Sequence, residues 1–153
     1  MMESEAIQEF KRAVRFLRDG HPDQALVHMR RAAELEKNNP YYLSFLGLVL
    51  ARAEQKWADA EQLCETAIRL KRNEPQFYLH LAEVYAREWR REDAAEIITR
   101  GMKNVGRNHR LHLALSKLTD RRRPVIPFLE RNNFLNRYLG KLRHRTLKSF
   151  AEA

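Results

Sequence analysis

Small residues recur at a fixed interval through the first two thirds of this chain. Ala25, Ala60 and Ala94 stand 35 and 34 residues apart, and Ala32, Ala67 and Gly101 each follow seven residues later. Met29, Cys64 and Ile98 fill the apolar position between the two small ones. Seven residues is close to two helical turns, so each trio lies on one helix face. Pro40 and Pro75 are also 35 residues apart, each opening an apolar run. The unit from Pro40 to Arg72, PYYLSFLGLVLARAEQKWADAEQLCETAIRLKR, carries the pattern most fully. It reads as two amphipathic helices joined by a short turn. Gly47 on the first, and Ala60 and Ala67 on the second, let antiparallel helices approach closely. Trp57 opens the second helix and plugs the gap at the turn.

Composition points the same way. Gly and Pro number five each among 153 residues, and long stretches contain neither, which favours helices. No stretch alternates apolar and polar residues between hairpin turn signals. The fold class expected is all-α. The lone Cys64 falls on a helix face expected to be buried, so it reads as a small core residue rather than a nucleophile. One cysteine forms no internal disulfide framework, which fits a reducing compartment. The N-terminal MMESEAIQEF lacks the apolar core of a secretory signal. No apolar run approaches the ~20 residues of a membrane span. A cytoplasmic location is the expectation.

The period and its small positions resemble the tetratricopeptide repeat. Repeat one, about 6–39, places Ala13, Ala25 and Ala32 at the small positions, with Gly20 at the turn. Repeat two, 40–74, places Gly47, Ala60 and Ala67, with one extra residue near Ala53–Lys56. Repeat three, 75–108, places Ala82, Ala94 and Gly101. Phe16 and Tyr85 stand at the family's aromatic position in the first helix. Asn38-Asn39 and Asn73 precede the two prolines and suit helix ends and N-caps. Glu9 stands where the family has a large apolar residue, a polar substitution that suits an end repeat. A further first-type helix at 107–119 is expected to cover the third repeat.

The architecture implied for 1–120 is a right-handed α-solenoid of about three helix-turn-helix repeats with a capping helix. Residues 121–153 read as an extended segment around PVIPFL followed by a basic amphipathic helix. The string RRPVIPFLERNNFLNRYLGKL resembles tails of some bacterial repeat proteins.

In the tetratricopeptide family the first helices line a concave groove. The groove residues that the resemblance implies are Phe10, Val14 and Leu17 in repeat one. Repeat two contributes Tyr41, Ser44, Leu48 and Arg52. Repeat three contributes Gln76, Leu79, Glu83 and Arg87, and the next helix adds Arg110, Leu113 and Lys117. The implied function is a non-catalytic adaptor or scaffold for a peptide or partner protein. Some members grip a terminal carboxylate with Lys, Arg and Asn. The equivalent positions here are chiefly Phe10, Val14, Phe45, Gln76 and His80, so that clamp is not present. The chain's own terminal segment, or a second copy in self-association, is an alternative occupant.

Charge supplies a second reading. Residues 1–106 hold 17 Lys/Arg and 17 Asp/Glu, whereas residues 107–153 hold 12 and 3, so the whole formal excess of +9 sits at the C-terminal end. Arg121, Arg122, Arg123, Arg137, Lys141, Arg143, Arg145 and Lys148 form a basic patch that would attract nucleic acid or an anionic membrane. The solvated face of a capping helix accounts for the same residues. His109 and His112 share a helix face, but no nearby Cys, Asp or Glu completes a metal set. The sequence has no glycine-rich phosphate loop, GxSxG or HExxH. No catalytic residue, metal ligand or cofactor is assigned.

Overall fold

The computed structural model describes residues 4–119. The expected extended segment, the basic C-terminal helix and the basic patch from Arg121 to Lys148 lie outside the described residues. Within them are seven helices: α1 (Glu5–Arg18), α2 (Pro22–Leu35), α3 (Pro40–Ala53), α4 (Trp57–Leu70), α5 (Pro75–Arg87), α6 (Arg91–Val105) and α7 (His109–Thr119). No strand occurs among the described residues.

The first helix of each repeat starts on a side chain. Ser4 Oγ accepts from the Ile7 N–H at 3.3 Å, and Asn39 Oδ1 from Tyr41 N–H at 3.0 Å. Glu74 Oε1 accepts from Gln76 N–H at 3.4 Å, and Asn108 Oδ1 from the N–H groups of Arg110 and Leu111 at 3.0 and 3.3 Å. These caps satisfy donors that have no intrahelical acceptor. The α5 cap is Glu74 and not Asn73. Pro75 occupies the first helical position, so the capping role falls to the residue directly before it.

The second helices start differently. Their N-cap residues His21, Lys56 and Arg90 make no side-chain capping bond. Each follows a three-residue turn whose middle residue has positive φ: Gly20 at 85°, Gln55 at 54° and Trp89 at 69°. Two of the turns close alike, with His21 N–H donating to Phe16 O and Arg90 N–H to Tyr85 O, both at 2.9 Å. This is the six-to-one bond of a Schellman closure. The extra residue of the second repeat is taken up at the end of α3, which runs six residues past Gly47, whereas α1 and α5 run five past Ala13 and Ala82. A turn closed through one left-handed residue keeps its length, whereas a helix end accepts another residue by propagating.

Consecutive helices pair in the order α1 with α2, α3 with α4 and α5 with α6, and α2, α4 and α6 each also touch the next first helix. The small and apolar positions of the repeat form the spine of this packing. Ala25, Ala60 and Ala94, with Met29, Cys64 and Ile98, are all 0% exposed. At Gly47 the approach is closest: a Cβ there would lie 2.7 Å from Ala60 O and 2.7 Å from Cys64 Sγ. Gly101 is held likewise, its would-be Cβ 2.7 Å from Tyr78 Cγ. The helix α7 buries Leu111 against the third repeat, and Arg91 Nη2 donates to Leu118 O at 2.8 Å.

In the first repeat, Glu9 replaces an apolar contact with an ion pair. Its Oε2 lies 2.7 Å from His28 Nδ1 on α2, and its Oε1 accepts from Arg12 at 2.8 Å. The His28 hydrogen bond, with His28 and Arg12 charge, holds the Glu9 carboxyl below its usual range against the opposing effect of burial. Phe16 stacks on the His28 ring, centroids 5.3 Å apart.

Gly47→Ala tests the close approach. Alanine favours a helix by about 0.5–1 kcal/mol over glycine, yet its methyl meets the Ala60 carbonyl, which is backbone. Overpacking of this kind costs about 1–3 kcal/mol. Urea unfolding is expected to show a net loss of stability, with the helical circular dichroism of the native state retained.

Candidate functional site

Three rings line up across the first helices. Phe10 on α1 meets Phe45 on α3 edge to face, centroids 5.0 Å apart. Phe45 meets His80 on α5 edge to face at 4.5 Å. Phe10 also contacts Tyr42 at 5.0 Å. Such ring pairs contribute about 0.5–1.5 kcal/mol each beyond their area burial. Phe10 and Phe45 are half-buried, as are Val14, Leu17 and Leu79. Leu48 is 4% exposed and Ser44 0% exposed, so they are buried residues and not exposed walls.

A polar chain continues from the rings toward α7. Arg110 Nη2 donates to Gln76 Oε1 at 2.5 Å, which turns the Gln76 amide nitrogen toward His80. Gln76 Nε2 lies 2.5 Å from His80 Nε2, and His80 Nδ1 lies 2.8 Å from Ser44 Oγ. An amide nitrogen only donates. His80 Nε2 therefore accepts, and the ring proton sits on Nδ1, donated to Ser44. Burial pushes the His80 pKa from 6.5 down to about 4; Glu83 opposes this, while Arg52 and Arg110 reinforce it. The imidazole is neutral at pH 7.

Cations edge the same helices. Glu83 Oε1 takes Arg52 from α3, at 2.6 Å to Nη2 and 2.8 Å to Nε, and Arg87 Nε at 2.9 Å. On α7, Arg110 and Lys117 flank Leu113, which is 45% exposed. Tyr41 serves the seam between repeats. Its Oη donates to Glu74 at 2.8 Å and receives Lys71 Nζ at 2.5 Å, while its ring meets the buried Phe77 edge to face at 5.2 Å.

Cys64 is a core residue, as its helix face indicated. It is fully buried and its thiol donates to Ser44 O at 3.6 Å. Burial raises its pKa, which disfavours the thiolate. No group of three or more His, Cys, Asp or Glu that could hold a metal occurs among the described residues.

The structure thus brings Phe10, Val14, Leu17, Gln76, Leu79, Arg52, Glu83 and Arg87 onto the half-buried or exposed surface of the first helices. What sequence reasoning did not foresee is the polar chain from Ser44 to Arg110. Its signal was present in the spacing. Gln76 and His80 are one helical turn apart, and Gln76 and Arg110 are one repeat apart.

No protein-family model matches the chain, and no curated protein matches it in sequence. Solved structures do resemble it. The second TPR domain of human RPAP3, in complex with the HSP70 peptide SGPTIEEVD, has a TM-score of 0.62 at 19% identity, covering 76% of this chain and 97% of that one. The Yersinia enterocolitica type III secretion chaperone SycD, in complex with a peptide of the translocator YopD, has a TM-score of 0.60 at 14% identity, covering 76% and 94%. The O-GlcNAc transferase of Thermobaculum terrenum has a TM-score of 0.64 at 18% identity over 77% of this chain, but only 23% of that one. These likenesses show the fold: residues 4–119 are an all-α array of the tetratricopeptide type, with α1, α3 and α5 as its first helices.

The buried imidazole generates a pH dependence. With a folded pKa of about 4 against 6.5, the unfolded chain takes up a proton between those values that the folded chain refuses. Stability at this site is complete above pH 6.5 and is lost as pH falls toward 4. Urea unfolding is expected to show a loss of about 2 kcal/mol from this group between pH 7 and pH 5. His80→Phe, which cannot titrate, is expected to flatten that slope, whatever its effect on stability at pH 7.

Proposed function

We propose that this tetratricopeptide-type array is a non-catalytic adaptor that holds a peptide or partner protein along the face of its first helices. The observation that carries the reading is the half-buried apolar row of Phe10, Val14, Phe45 and Leu79 on α1, α3 and α5, continued by the exposed Leu113 on α7. Burying a Leu or Phe side chain contributes about 1.5–3 kcal/mol. A few such anchors offset the cost of association. Structures of the same fold hold peptides, as in the RPAP3 and SycD complexes. The residues at the clamp positions, Phe10, Val14, Phe45, Gln76 and His80, favour a ligand gripped by apolar anchors over one held by its terminal carboxylate.

Leu48 is unsuitable as a probe because it is buried. The informative variant is Val14→Lys with Leu79→Lys, both half-buried, beside the control Val27→Lys on α2, where the side chain is 68% exposed. The full chain would be used to select from a displayed random-peptide library. The double variant is expected to retain its helical circular dichroism and to bind the selected peptides at least about tenfold more weakly, while the control binds them normally. Equal binding by the folded double variant would falsify the reading.

The concentration of +9 in residues 107–153 supports a second reading, in which the basic C-terminal segment docks the array on nucleic acid or an anionic membrane. Retention of RNA, DNA or anionic vesicles by the full chain, weakening as salt rises, is expected on that reading. Residues 1–119 alone should then retain none of them. Equal retention by the two chains removes it.

A further inference from the structure

We infer that the segment held on this face carries Asp or Glu side chains beside its apolar anchors, with the anchors over α1 and α3 and the acids over α5 and α7. The inference rests on the peptide-binding reading above and specifies the chemistry of its ligand. It starts from the uneven character of the face. At the α1 and α3 end the surface is made by the Phe10 and Phe45 rings with Val14 and Leu17. At the other end stand Arg87 on α5 and Arg110 and Lys117 on α7, and Arg52 reaches from the end of α3 to the Glu83 carboxylate on α5.

The cations are incompletely compensated. Arg52 and Arg87 share the single Glu83 carboxylate through the same oxygen. Arg110 donates to the neutral Gln76 amide. Replacing that contact by a carboxylate sets the guanidinium against an opposite charge and permits a bidentate pair, which adds both energy and geometric specificity. Arg110 and Lys117 are seven residues apart on α7 and therefore share a face with the exposed Leu113. That helix alone offers an apolar contact between two cations. His80 leaves this balance unchanged, because its ring is hydrogen-bonded at both nitrogens and carries no carboxylate-like charge.

Charge complementarity favours a separate acidic partner as the occupant. Residues 121–153 contain nine Lys/Arg and two Asp/Glu, the same sign as the cationic end of the face. An acidic segment of a separate partner is complementary to it. The positions that would grip a terminal carboxylate hold Phe10 and Val14, so the acids are read as side chains within the segment and not as a free chain end.

The test uses the full chain and a displayed library of random 12-residue peptides fixed at both ends, followed by synthetic copies of the selected peptides with amidated C-termini. The selected peptides are expected to pair Phe, Leu, Ile or Met with Asp or Glu, and to lose affinity as salt rises. Arg110→Glu with Lys117→Glu is expected to weaken them by about tenfold and to redirect selection toward Lys and Arg. Arg110→Gln with Lys117→Gln, a gentler change on an exposed helix face, should give a smaller loss in the same direction. Selected peptides without acids that are lost in Val14→Lys, Leu79→Lys but unaffected by the α7 variants would overturn this inference and leave the groove reading intact. Peptides indifferent to all of these variants would overturn both. Failure of the amidated copies to bind where copies with a free C-terminal carboxylate do bind, or charge reversal that dissolves a dimer of this chain, would also overturn it.

Discussion

The close approach of antiparallel helices at the small-residue stripe is the constraint on which the rest of the structure depends. At Gly47 the α3 backbone lies so near α4 that even a methyl group would collide with Ala60 O and Cys64 Sγ. At Gly101 the neighbour is the Tyr78 ring, itself fixed by donating to Arg72 O at 2.7 Å and accepting from Asn104 at 2.8 Å. Interiors packed this closely transmit small changes in volume. With that spacing set, the larger side chains on either side of the stripe have only one place to go. Cys64 enters the α3–α4 pair against Gly47 and Ser44 O, Tyr78 enters the α5–α6 pair against Gly101, and Phe77 meets Tyr41 at the seam between the second and third repeats.

Polar groups then set how successive repeats meet. Glu74 caps α5 and also receives the Tyr41 hydroxyl from α3, so one carboxylate serves a helix start and a repeat junction. Arg90, in the turn before α6, stacks over the Tyr85 ring at 4.3 Å and donates to Glu61 on α4 at 2.9 Å. Glu61 also accepts from the Tyr85 hydroxyl at 2.9 Å. Arg100 on α6 reaches Glu65 on α4 with one nitrogen, 2.7 and 2.8 Å from the two carboxylate oxygens. Individual exposed ion pairs contribute little, but these join elements that sequence neighbours do not bring together. The Ser44–His80–Gln76–Arg110 chain does the same on the opposite helices. It joins α3, α5 and α7 directly beside the apolar row that the proposed ligand would cover.

Much of the fold was legible because a period is visible in one dimension. The spacing of Ala25, Ala60 and Ala94 is a sequence property, and only stacked helical hairpins use it in this way. Turn chemistry was legible at Gly20, where glycine announces the left-handed residue. It was not legible at Gln55 and Trp89, where side chains that disfavour positive φ occupy the same turn position. Their conformation follows from closing a three-residue connection between helices already held by their packing. The candidate site was legible only as a set of positions. Ser44 and Leu48 fall on the same helix face as exposed groove residues, yet both are buried. Helical phase says which way a residue points, not how much neighbouring structure covers it.

By itself the sequence determined the repeat length, the residues of the spine and the pairing of helices, because these follow from local periodicity and from the need to bury an apolar face. It also determined the charge imbalance, a matter of counting. Tertiary structure alone decided the partners of Glu9, His80 and Gln76, the identity of the α5 cap and the placing of the extra residue in α3. Each of these depends on groups that come within hydrogen-bonding distance only after the helices have packed. Such contacts span separations of up to 36 residues, as between Ser44 and His80, and a hydrogen bond over that range is chosen by the geometry of the packed repeat rather than by any local preference of the chain.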